Sequence, residues 1–244
     1  MSKEPITLNI EEMAAAGLGT GHKVSKLHPK MKQYVSGIKN GTHTIDLTKT
    51  AEKFSEALQF IRTLISENKN LLIIGTKVPS KALVKSNSGE SVLPYVNTRW
   101  LGGTFTNFET ILKRVNHFKQ LLRDKETGAL EKYTKKERLK LDKEIELLRN
   151  KFEGIKDMVK LPEAILVLDM KKDGTAAKEA KKKGVKIIAV CDTNIDPSSI
   201  DYVIPANDDS ISSIKYILEK VKETVVDAKS KNSLPAGDLP KGEK

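Results

Sequence analysis

Carboxylates gather late in the chain. Residues 187–214 contain no lysine or arginine but hold Asp192, Asp196, Asp201, Asp208 and Asp209. Asp192 directly follows the apolar run Ile187-Ile188-Ala189-Val190-Cys191, and Asp208 and Asp209 follow Tyr202-Val203-Ile204. If both runs are parallel strands, these acids meet at the carboxyl edge of a sheet, where α/β folds place their ligands. Three carboxylates there could hold Mg²⁺ or Zn²⁺, with His22 as a further ligand, and so support a metal-dependent hydrolase or a nucleotide-binding enzyme. The same residues also serve as turn formers and helix caps: Asp196-Pro197 starts a turn, and Asp208 and Asp209 precede a helix near Ser210. The second reading is adopted, with no catalytic residue, metal or cofactor expected.

Other catalytic signatures are missing. Gly17, Gly19 and Gly21 alternate without a preceding strand, unlike a dinucleotide fingerprint. Gly75-Thr76-Lys77 follows the run Leu71-Leu72-Ile73-Ile74, but a lone glycine before Pro79 reads as a packing turn rather than a phosphate loop. The chain has no P-loop, His-Glu-x-x-His or Gly-x-Ser-x-Gly motif. Its one cysteine, Cys191, excludes an internal disulfide and ends an apolar run, as an inert buried thiol in a reducing cytosol would.

The opposite charge dominates the front. The 244 residues carry 43 Lys+Arg against 32 Asp+Glu, a net +11 that suggests a polyanionic partner. All of the excess lies in residues 1–160, and residues 161–244 balance at 14 and 14. Residues 13–45 have no acid at all, yet hold Lys23, Lys26, Lys30, Lys32, Lys39 and three of the four histidines, His28 among them. Small and turn-forming residues separate these cations, a spacing suited to RNA phosphates. A second polar loop, residues 97–107, offers Arg99 for bidentate phosphate contact, Gly102 and Gly103 for close approach, and Asn107. Trp100 in that loop either stacks on a base or packs against the core. Lys113 and Arg114 continue the positive surface.

Short apolar runs must position these groups. Thr44-Ile45-Asp46-Leu47, residues 71–74, 164–168, 187–190 and 202–204 read as buried parallel strands, and residues 92–96, with Pro94, as an edge. Amphipathic helices are expected over residues 48–67, 174–183 and 210–227. This alternation predicts a doubly wound, mostly parallel α/β sheet formed by residues 1–103 and 161–227. Residues 104–160 interrupt it. Phe108, Ile111, Val115, Phe118 and Leu122, then Leu141, Ile145, Leu148, Phe152 and Ile155, follow heptad spacing, predicting a projecting antiparallel coiled-coil hairpin. Residues 228–244 are expected to be disordered. No apolar stretch approaches a membrane span, and no signal-peptide h-region is evident, so a cytoplasmic location is expected.

Ordered motif blocks add a resemblance. His28-Pro29-Lys30-Met31, Asn40-Gly41-Thr42-His43-Thr44-Ile45-Asp46-Leu47, Arg99-Trp100-Leu101-Gly102-Gly103-Thr104-Phe105-Thr106-Asn107 and Asp192-Thr193-Asn194-Ile195-Asp196-Pro197 occur in sequence. So do Gly154-Ile155-Lys156-Asp157-Met158, Leu161-Pro162-Glu163-Ala164 and Asn207-Asp208-Asp209. Together they resemble the bacterial form of the small-subunit ribosomal protein two family, from about residue 6 to about 227. Departures fall at Gly19-Thr20, usually a histidine and an aromatic, and at Leu27-His28, commonly Trp-Asn. The resemblance implies a flavodoxin-like domain with an inserted hairpin and a non-catalytic role in the ribosome. It also implies a place between head and body of the small subunit, touching ribosomal RNA, neighbouring ribosomal proteins and the mRNA-binding ribosomal protein one.

Overall fold

The computed structural model describes residues 6–91 and 93–232. After the short helix α1 (Ile10–Ala15), strands β1 (Thr20–Lys23), β2 (Val35–Lys39) and β3 (Thr42–Ile45) form a small antiparallel sheet, ordered β1-β3-β2. Thr44 to Leu47 was expected to join the parallel sheet, and here the structure differs. Asn40 and Gly41, at φ 51° and 74°, make the two-residue turn that a tight hairpin requires, so β3 pairs with its own neighbour. Asp46 then leaves the sheet to cap α2 (Leu47–Ser66), its carboxylate accepting the Thr48 amide at 3.0 Å.

The main domain continues with β4 (Leu71–Ile74), α3 (Val78–Ser91) and β5 (Tyr95–Val96), followed by the long helices α4 (Phe108–Glu126) and α5 (Lys135–Phe152). It closes with β6 (Ala164–Val167), α6 (Met170–Lys182), β7 (Lys186–Cys191), β8 (Tyr202–Pro205) and α7 (Ile211–Asn232). The five strands β5-β4-β6-β7-β8 are parallel throughout. Numbered by chain order, that is 2-1-3-4-5, the flavodoxin-like order. The edge strand β5 has only two residues, as Pro94 before it dictates.

Side chains alternate between the two faces of this sheet. Leu71, Ile73, Leu166, Ile188 and Val190 meet Phe54, Leu58, Ile61, Ile217 and Val221 of α2 and α7 on one side. Leu72, Ile74, Ile165, Val167 and Ala189 meet Ala176 and Ala180 of α6, with Trp100, Phe105, Phe118 and Phe152, on the other. Burial on both faces explains why the strands read as continuous apolar runs.

Helices α4 and α5 return past one another across a connection that Gly128, at φ 74°, begins and a Thr134–Glu137 capping box ends. Lys125–Asp142 at 2.6 Å and His117–Glu144 at 3.0 Å tie them together. Ile111, Val115, Phe118, Leu121, Ile145 and Phe152 are buried, whereas Leu139 and Leu147 are exposed. At the other end, α7 passes through position 228, where Ala228 is buried, so residues 228–232 are helical rather than disordered. Residues 233–244 lie outside the described residues.

Candidate nucleic-acid interface

The acid-free segment forms a cap over the carboxyl ends of β7 and β8. The His28 amide donates to the Thr193 carbonyl at 2.8 Å, and the His22 amide to the Thr193 hydroxyl at 3.1 Å. Gly21 lies so close that an added Cβ would sit 2.7 Å from the Thr193 methyl. Two 3-10 turns, Val24–Lys26 and Pro29–Tyr34, carry the middle lysines, and buried Met31 anchors the second among Trp100, Phe105 and Ile195.

Lys23 and Lys39 both register against Thr42 of β3, one from each side. Two strand spacings separate their backbones by about 10 Å. Lys23, Lys26, Lys32 and Lys39 are exposed, and their ammonium groups have no ion-pair partner among the described residues. Lys30 differs: its ammonium contacts Asp196 at 3.4 Å and the Ser198 hydroxyl. His28 caps the second turn through Nδ1, and its Nε2 lies 4.0 Å from Asp196. Hydrogen bonds from Ser198, with Lys30 nearby, hold the Asp196 carboxyl down to about 2. Lys30 and His28 therefore fasten the cap to the domain.

The loop of residues 97–107 is organised from beneath by a residue outside it. Glu179 of α6 accepts the amides of Gly103, Phe105 and Thr106 at 2.8, 2.9 and 3.2 Å, and the Trp100 indole N–H at 3.2 Å. Burial pushes the Glu179 carboxyl up, but these donors outweigh it and leave the group below its ordinary range. Trp100 is 7% exposed and meets Phe105 edge to face at 5.0 Å, so it is a core residue and offers no free face for a base. Arg99, Asn107, Lys113 and Arg114 are exposed, with Asn107 accepting the Thr110 hydroxyl at 2.8 Å.

At the switch point between β4 and β6, the expected acidic pole contains a cation of its own. The Lys77 ammonium lies 3.0 Å from Asp169, 3.1 Å from Asp208 and 2.5 Å from Asp209. His22 pairs with Asp192 at 2.8 Å and approaches Asp209 at 3.6 Å. Asp173, beneath, accepts the Thr76 hydroxyl at 2.8 Å and its amide at 3.1 Å. Burial, then the charge of Asp169, pushes the Asp208 carboxyl up to about 6 against the pull of Lys77. The metal-ligand alternative for Asp192, Asp208, Asp209 and His22 gains no support. Lys77 fills the place a cation would take, and no group of three or more His, Cys, Asp or Glu among the described residues is arranged to hold a metal. Ahead of α7, Asn207 accepts the Asp209 and Ser210 amides at 2.8 and 3.2 Å, whereas the Asp208 carboxylate is engaged by Lys77. Gly75 is a packing turn as expected, since a Cβ there would lie 2.8 Å from Leu168 and Val84.

Against models of known protein families, the model for ribosomal protein S2 matches residues 13–228. The chain belongs to the ribosomal protein S2 family. Members of the S2 family are structural proteins of the small ribosomal subunit, so this one is associated with ribosomal RNA and other ribosomal proteins and acts in translation rather than catalysis. No helix among the described residues is long and apolar enough to cross a membrane. The S2 match spans the basic cap, the Trp100 loop and the acidic pole alike. Asp169, Asp173 and Glu179 are the residues that sequence reasoning passed over, and Lys77 was noticed only as part of a packing turn. Only the position of Lys77 and Asp169, just beyond strands at the switch point, could have drawn attention to them.

Proposed function

We propose that this S2-family chain binds ribosomal RNA and neighbouring ribosomal proteins at the head–body junction of the small subunit, within cytoplasmic ribosomes. Its exposed cations neutralise phosphates: Lys23, Lys26, Lys32 and Lys39 of the cap, Arg99 of the second loop, and Lys113 and Arg114 of α4. The observation that carries this reading is the cap itself, four exposed lysines with no carboxylate partner among the described residues, in a segment that has no acid. Folded RNA is recognised largely through backbone and shape, so little base-reading chemistry is needed.

Helices α4 and α5 act in this reading as a coiled-coil arm for contact. Their exposed Leu139 and Leu147 favour protein over solvent, with the mRNA-binding ribosomal protein one among the candidate partners. Sedimentation of tagged protein through a sucrose gradient tests the assignment, and absence from the small-subunit peak would overturn it. With about six phosphates engaged, log affinity should fall against log salt with a slope of roughly −4 to −5. Salt-insensitive binding would exclude phosphate neutralisation as the mechanism.

A further inference from the structure

The even count of bases and acids in residues 161–244 conceals a segregation in space. Five of the acids turn inward, Asp169, Asp173, Glu179, Asp192 and Asp208, while Asp196, Asp201 and Asp209 stay exposed. The lysines turn outward. On α6 and immediately after it, Lys178, Lys181, Lys182 and Lys183 are exposed, and none has an ion-pair partner within 4.0 Å among the described residues.

The neighbouring acids are already occupied. Asp173 and Glu179, the acids of α6, hold Thr76 and the loop of residues 97–107. Asp196, across from α6, contacts Lys30 and accepts the Ser198 amide at 3.0 Å, and Asp201 takes Lys186 at 2.7 Å. Lys172 donates to the Thr76 carbonyl at 2.9 Å, so it stands apart from the group.

We propose that Lys178, Lys181, Lys182 and Lys183 form a ridge that binds the sugar–phosphate backbone of folded RNA and joins the two basic segments into one surface. Position supports the ridge. Lys178 adjoins Glu179, which holds the Arg99 loop. Lys178 and Lys181 also line a groove with Asn194, Ile195, Asp196 and Ser199, part of the segment to which His28 and Lys30 are fastened. Helix α6 thus lies between the second basic loop and the cap.

The chemistry of the face favours RNA over an acidic protein. Ala176, Ala177 and Ala180 are buried, and α6 contains no aromatic side chain of the kind that anchors protein interfaces. Ammonium groups alone suit phosphate contacts, which position RNA without reading its bases.

The inference rests on the RNA-binding reading above, and one experiment separates the two. The full chain carrying K178Q, K181Q, K182Q and K183Q, a second chain carrying K23Q, K26Q, K32Q and K39Q, and the parent bind small subunits depleted of this protein over a range of salt. Thermal melts confirm that both variants fold. The ridge adds four contacts to the roughly six counted above, so the ridge variant should flatten the parental salt slope by about 3, from 0.7–0.9 for each contact. A photoreactive side chain in place of Lys181 should cross-link to RNA. A parental slope in the ridge variant, or cross-links to protein alone, would overturn the ridge. If only the cap variant keeps the parental slope, the cap reading falls and the ridge stands.

Discussion

The carboxylate of Glu179 accepts the indole N–H of Trp100 at 3.2 Å across a sequence separation of 79 residues. Three backbone amides converge on the same two oxygens, so a helix of the second half of the chain shapes a loop of the first. Glu179→Gln puts an amide donor where acceptors are needed. It should cost about 2–4 kcal/mol, read by urea denaturation. Because the folded carboxyl titrates below its ordinary value, its stabilisation is full above the unfolded pKa and disappears as pH falls through the folded one. The variant should therefore lose part of the parent's acid limb below about pH 4.5. Unchanged stability would mean that the loop holds itself.

Lys77 and Asp208 form the electrostatic counterpart. Lys77→Met leaves Asp169 and Asp208 buried without their cation and should destabilise by about 3–5 kcal/mol. Asp208 has the opposite pH sign to Glu179. Its folded carboxyl, at about 6, lies above the unfolded value, so the native state binds the extra proton and its contribution to stability falls as pH rises toward 6. Asp208→Asn should flatten that part of the stability curve between about pH 4 and 6. Denaturant midpoints measured across that range would decide it, and an unaltered slope would refute the assignment.

Trp100 is the chain's one tryptophan, so intrinsic fluorescence reports a single site. Native emission should be blue-shifted and resist iodide quenching, and both properties should be lost in urea. Trp100→Ala should cost about 3–5 kcal/mol through the cavity it opens. Emission already red-shifted in the native protein would contradict the burial and revive stacking on RNA.

Lys23 and Lys39 provide a smaller test. K23Q with K39Q should reduce the salt slope of subunit binding by about 1.5–2 while leaving the melting temperature unchanged, since both side chains are exposed and have no ion-pair partner among the described residues. A fall in melting temperature with an unchanged slope would assign them to folding instead.

Much of the fold was legible because a parallel sheet buried on both faces leaves uninterrupted apolar runs, as in Leu71–Ile74 and Ala164–Val167. Helix α3 was not. Pro79, Gly89 and four serines blur any apolar stripe, and packing against α7 and the sheet supplies what propensity does not. The hairpin signal Asn40-Gly41 lay in plain view but was outweighed by the run after it. At the site, the charges of the cap could be counted directly, whereas the work of Glu179 and Lys77 depends on distant partners. A local count cannot tell a carboxylate aimed at water from one aimed at a buried amide.

Cys191 is fully buried beside the acidic pole, and burial with the charges of Asp208 and Asp192 pushes its thiol well up. The native chain therefore behaves toward maleimides and iodoacetamides almost as though it had no cysteine. A thiol introduced on the surface, as in Lys32→Cys or Lys182→Cys, would carry a spectroscopic or cleavage reagent alone, with the natural sulfur left in place.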